Sequence, residues 1–60
     1  MKIIDIIIKM HKKEKLPKEI EYIKKKFVFK YGGYYTPIGD NIFNYISENM
    51  LDLEIEVLKK

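Results

Sequence analysis

Few residues in this chain are of types that do chemistry, and their spacing decides what is open to them. His11 is the one histidine, Ser47 the one serine, and there is no cysteine. Nothing beside His11 or Ser47 would activate either as a nucleophile or base. Asp52, Glu54 and Glu56 alternate, so on a strand their carboxylates would share one face. Such a row could take Mg²⁺ or do acid–base work inside a cleft. Without a cleft it is a solvated face, or a surface that suits a basic site on a partner. Lys24, Lys25, Lys26 and Lys30, with Tyr35 nearby, are the candidates for nucleic acid: lysines for phosphate, the ring for stacking a base. Arginine, which reads guanine bidentately, is absent. Gly32-Gly33 has no phosphate-loop pattern around it and reads as a turn. Tyr31, Tyr34, Tyr35 and Tyr45 are more tyrosine than a small core needs, and tyrosine is enriched where proteins bind one another. No catalytic, cofactor-binding or metal-ligating residue is assigned.

The elements that must position these residues can be read from pattern. Sixty residues make one domain, 1–60, with no disulfide staple and no thiolate metal site. The apolar fraction, 47%, is enough for a core. Charge is uneven: residues 1–30 carry net +6 and residues 31–60 net −3. No run approaches the length of a membrane span, and the Ile3–Ile8 run is broken by Asp5 and closed by Lys9. The expected location is the cytoplasm.

Residues 2–14 read as a helix whose isoleucines make a broad buried stripe along 3-7-10 and 4-8-11, with an Asp5–Lys9 pair outside. Pro17 ends it. Glu19-Ile20-Glu21-Tyr22 alternates as a first strand. A loop at Lys24-Lys25, or at 23–26, would set Tyr22 opposite Phe27 and Ile20 opposite Phe29. With Gly32-Gly33 as a two-residue hairpin loop, Tyr31 faces Tyr34, Lys30 faces Tyr35 and Phe29 faces Thr36. One sheet face then collects Ile20, Tyr22, Phe27, Phe29, Tyr31 and Tyr34; the other holds Val28, Lys30 and Tyr35. Asp40 is the expected N-cap of a second helix burying Ile42, Phe43, Ile46 and Met50; a start at Thr36-Pro37 is the alternative. Leu51–Val57 alternates as the last strand. The fold predicted is α+β: a small antiparallel sheet with two helices on one face, in the order α-β-β-β-α-β. Ile4, Ile7, Phe43 and Ile46 should meet Ile20, Tyr22, Phe27, Phe29, Leu53, Ile55 and Val57 in the core.

The Ile-rich first helix, Leu16-Pro17-Lys18-Glu19-Ile20-Glu21-Tyr22, the alternating aromatics and the closing Leu-x-Ile-x-Val-Leu strand together resemble small proteins of phages and prophages in AT-rich Gram-positive bacteria. The lysine triplet departs from the short Asp-Gly or Asn-Gly turns of those proteins. The resemblance implies an accessory protein of a mobile element, and many such proteins bind a host protein, some to inhibit bacterial defences. The leading expectation is therefore a non-enzymatic protein-binding module, an inhibitor of a host defence complex in the manner of an anti-CRISPR. It would bind through Tyr35, Lys30, Asp52, Glu54 and Glu56. A nucleic-acid-binding regulator using Lys24, Lys25, Lys26 and Lys30 is the alternative. A structural protein that forms a homodimer through an exposed strand edge is the third reading.

Overall fold

The computed structural model describes residues 1–60. One helix, α1 (Ile3–Lys12), lies against a sheet of strands β1 (Glu19–Tyr22), β2 (Lys25–Lys30), β3 (Gly33–Tyr35) and β4 (Glu56–Lys59). The sheet is antiparallel, in the order β3-β2-β1-β4. The fold is α+β with its apolar side toward α1, and no helix is long and apolar enough to cross a membrane.

α1 begins where Asp5 Oδ2 accepts the Lys2 N–H at 2.9 Å. A helix start leaves several N–H groups without partners. Two of them find carbonyls from far along the chain: Ile3 N–H donates to Leu53 C=O at 2.9 Å and Ile4 N–H to Leu51 C=O at 3.1 Å. The helix closes at Lys13, which adopts a left-handed φ of 58° and donates its N–H back to Lys9 and Met10. Ile3 and Ile6 are fully buried, Ile7 and Met10 partly, while Ile8 is exposed and Ile4 is only half-buried. The stripe thus runs 3-6-7-10: the expected 3-7-10 row faces the core, and Ile6 joins it in place of the expected 4-8-11 row. Lys9 pairs with Glu14 at 3.6 Å and not with Asp5, whose carboxylate is engaged at the cap.

Both hairpins keep the expected faces but slide by two residues. Ile20 pairs with Phe27 and Tyr22 with Lys25, so the first loop is Ile23-Lys24. Phe29 pairs with Tyr34 and Lys30 with Gly33, so the second loop is Tyr31-Gly32. Each loop places two successive residues at positive φ: 49° and 61° in the first, 51° and 76° in the second. That is the pattern of a primed hairpin turn, whose twist matches the strands. A slide of two leaves side-chain parity unchanged, so packing chose the register over turn preference. Tyr31 moves from the expected core into the turn, where it is 91% exposed.

The expected second helix forms as two 3₁₀ turns, Ile42–Tyr45 and Glu48–Met50, separated by extended Ile46 and Ser47. Asn41, Asn44, Ser47 and Asn49 compete for backbone hydrogen bonds, and β-branched Ile42 and Ile46 add no helix propensity. The cap is Asn41, whose Oδ1 accepts the Phe43 N–H at 2.9 Å; Asp40 instead accepts the Tyr45 hydroxyl at 3.0 Å. The three-residue repeat brings Ile42 and Tyr45 to the core side together and leaves Phe43 exposed.

The last strand is also shorter than the alternation predicts. Leu51 and Leu53 lend their carbonyls to the start of α1, and pairing with β1 begins only at Glu56. Leu53 is consequently exposed; Val57, although paired with Ile20, is exposed on the edge strand, and only Ile55 of that row is buried. The finished core is Ile3, Ile6, Ile20, Tyr22, Phe27, Tyr34, Ile42 and Ile55, with Phe29 at its margin.

Candidate protein-binding face

Opposed residues in an antiparallel pair share a face, so the registers specify what the uncovered side of the sheet presents. β3 contributes Tyr35; β2 contributes Lys26, Val28 and Lys30; β1 contributes Glu19 and Glu21; β4 contributes Glu56 and, across a register shift, Lys59. The face is divided. Its β3–β2 half is basic and aromatic, and its β1–β4 half is acidic.

Tyr35 is the best-supported group on the first half. It sits opposite Val28, and its ring folds back over Gly33, where a Cβ would lie 3.5 Å from Cε2. The Lys30 ammonium stands 5.9 Å from the centroids of both the Tyr35 and Tyr31 rings. Such cation–π contacts at exposed sites contribute about 0.5–1 kcal/mol. The Tyr35 ring is half-buried and backed by Gly33 as well as by Lys30, while Tyr31, at the same distance from Lys30, is 91% exposed at the neighbouring turn. Lys26 crosses the midline to Glu19, Nζ to Oε1 at 3.2 Å. Glu21 lies directly opposite Glu56, and neither carboxylate has a basic group within ion-pair distance.

Two of the expected acidic residues are elsewhere. Asp52 falls in the turn after the second 3₁₀ segment, and Glu54 pairs with the Met1 amine at 3.1 Å beside the start of α1. Their carboxylates leave the row because residues 51–54 cap the helix and do not run on in the sheet. Only Glu56 shares the face of Tyr35 and Lys30. Glu19 and Glu21 take the missing places. Their alternation against Ile20 and Tyr22 was the signal that could have assigned them.

The lysine triplet diverges as well. Lys24 is in the turn. Lys25 is on the helix side, opposite Tyr22, with Nζ 5.4 Å from the Tyr45 ring centroid. Lys26 is on the open side and engaged with Glu19. The candidate nucleic-acid group Lys24, Lys25, Lys26 and Lys30 therefore does not form one patch.

The groups with altered acidity lie in the core. Burial raises the Tyr22 phenol and pushes Tyr34 up to about 12. Tyr45 is raised first by its hydrogen bond to Asp40, then by burial and by the charge of that carboxylate. Each hydroxyl has a structural partner: Tyr22 donates to Tyr45 C=O at 3.0 Å and Tyr34 to Pro17 C=O at 2.6 Å. His11 is exposed at the end of α1, and Ser47 donates to Asn49 Oδ1 at 2.6 Å. No three histidine or carboxylate side chains converge on one point.

Comparison with protein-family models, with curated proteins and with solved structures gave no match.

Proposed function

We propose that this chain is a non-catalytic protein-binding module that docks through the open face of its sheet, with Tyr35 as the anchor. One observation carries the reading. A tyrosine ring is held between Gly33 and the Lys30 ammonium, on a face that no other element covers. A ring fixed before binding loses little entropy when it enters a partner's pocket. The acidic half beside it, Glu19, Glu21 and Glu56, matches a target with basic groups and would act mainly on association rate and salt dependence. The resemblance to phage and prophage proteins points to a host protein as the partner, in the host cytoplasm. It also points to inhibition of a defence complex as the outcome.

The test is a pull-down from host lysate followed by surface plasmon resonance on the captured protein. Tyr35→Ala should cost about 2 kcal/mol or more and raise the off-rate. Glu21→Gln with Glu56→Gln should slow association and weaken its salt dependence, with little change in off-rate. If both folded variants bind like the parent, the face is not the interface. Tight binding of the parent to single-stranded DNA or RNA at low salt, with a steep salt slope, would instead favour the nucleic-acid reading.

A further inference from the structure

β4 is an edge of the sheet: Met1 C=O accepts the Ile55 N–H at 2.8 Å and Lys2 bridges Glu54 just before it, but Glu56–Lys59 pair with no strand other than β1. All of its residues, Glu56-Val57-Leu58-Lys59, are exposed. Edge strands offer unpaired N–H and C=O groups to another chain, and proteins usually blunt them. Here the sequence of the edge fits its own reverse. Read antiparallel about a point between Val57 and Leu58, it sets acid against base at both ends and apolar against apolar in the middle.

Strand parity tests whether that matching is geometrically allowed. A twofold axis normal to the sheet keeps each face on its own side, so opposed residues must share a face. In a regular strand, positions 56 and 59 would not. In β4 they do: Glu56 pairs with Glu21 and Lys59 with Glu19, across an irregularity at Glu19/Ile20. Glu19 and Glu21 are two apart on β1, so Glu56 and Lys59 lie on the same open face. The extra residue is Leu58, which follows the inward-facing Val57. The bulge therefore brings Glu56 and Lys59 to one face, which is the parity this pairing requires.

Two further features point to the same occupant. Glu56 opposes Glu21 with no base to relieve it. A second copy would bring its Lys59 to that carboxylate. Beside the edge lies an open groove of about 340 Å³ lined by Met1, Lys15, Leu16, Pro17, Val57 and Lys60. A second copy would set its Leu58 opposite Val57, at the mouth of this groove.

We infer that the chain self-associates as a twofold dimer by antiparallel pairing of β4 with β4, with Glu56 of each copy opposite Lys59 of the other. The inference shares Glu56 with the proposed partner face but does not rest on its anchor, Tyr35, which lies at the opposite side of the sheet. The two sheets would join into one, with the acidic halves meeting at its centre and a Tyr35–Lys30 pair toward each end. The contact is small, so the dimer should be weak, with Kd on the order of 10–100 μM.

Sedimentation equilibrium of the whole chain tests this by charge exchange. Glu56→Lys alone and Lys59→Glu alone each place like charges together twice in the dimer, and each should weaken dimerisation about tenfold or more at low salt. An equimolar mixture of the two variants restores opposite charges at both positions and should dimerise like the parent. Recovery in the mixture also shows that both variants are folded. A parent chain that remains monomeric at about 1 mM overturns the inference. So does a dimer that ignores both exchanges, a mixture that fails to recover while each variant keeps the parent's circular dichroism, or an edge that takes foreign extended peptides but not its own copy.

Discussion

Phe27 and Phe29 are neighbours on the same face of β2, yet the structure assigns them very different weights. Phe27 is fully buried, in contact with the Tyr22 ring at 6.2 Å and edge-on to Tyr45 at 6.0 Å. Phe29 touches Tyr34 at 5.2 Å but is 37% exposed. Truncating a buried phenylalanine typically costs about 3–5 kcal/mol, including the cavity left behind. For Phe29, removing the ring withdraws roughly 60 Å² of apolar surface from contact. At about 25 cal/mol per Å² that is about 1.5 kcal/mol, with no closed cavity to add. A domain of this length has a total stability of about 3–9 kcal/mol, and its urea m-value should be about 1 kcal/mol/M. Phe29→Ala should therefore fold and lose about 1.5 M in its urea midpoint. Phe27→Ala should lose about 3–5 M, at least twice the loss of Phe29→Ala, and a parent at the low end of that stability range would leave it unfolded in water. Circular dichroism during urea titration measures both. Equal losses for the two variants, or a Phe27→Ala protein that unfolds like the parent, would refute the register and the core assignment together.

Two other outcomes follow from the hairpins and the buried tyrosines. Tyr34→Phe removes the hydrogen bond to Pro17 C=O and should cost about 1 kcal/mol at neutral pH. Because the folded Tyr34 titrates near 12 against 10 unfolded, its contribution is complete below pH 10 and is lost as pH rises toward 12. Tyr34→Phe should flatten that alkaline loss, leaving the smaller parts due to Tyr22 and Tyr45; thermal unfolding from pH 8 to 12 tests it. Replacing Ile23-Lys24 with Asn-Gly should stabilise by about 1–2 kcal/mol, because Ile and Lys are held at positive φ where Asn and Gly are at ease. A lower melting temperature in that variant would show that the loop is not this two-residue turn.

The sheet was readable wherever side chains alternate. Ile20, Tyr22 and Phe27 on one face, with Lys30 and Tyr35 on the other, follow from parity alone, and parity survives a slide of two residues. Register was not readable, because the glycines of Gly32-Gly33 suggested where the turn should close while the packing of Phe29 on Tyr34 decided where it does. The second helix failed for a local reason, the density of Asn and Ser between 41 and 49. The acidic row failed for a distant one. Leu51–Val57 alternates well enough to be a strand, but two of its carbonyls are drawn away by the N–H groups of Ile3 and Ile4, some fifty residues earlier. A contact of that range leaves no mark in local pattern. The candidate face was half legible: Tyr35 and Lys30 were placed by the hairpin, and the alternation of Glu19 and Glu21 against Ile20 and Tyr22 put them on the same side, whereas the loss of Asp52 and Glu54 from it showed only in the structure.

The conflict between turn and packing in the second hairpin has a kinetic consequence. Closing the loop at Gly32-Gly33 avoids placing Tyr31 at positive φ and keeps every side chain on its proper face, so nothing in the isolated hairpin rejects that arrangement. What rejects it is remote: with the loop at Gly32-Gly33 Phe29 opposes Thr36, and the Tyr34 hydroxyl lies two residues, about 7 Å, from its place at Pro17. Local closure is fast, on the order of microseconds, and precedes docking of distant segments. Chains that close first at Gly32-Gly33 must therefore reopen before the Pro17 segment can lock Tyr34. The hairpin at the centre of the chain is a place where folding can be right about every face and still have to begin again.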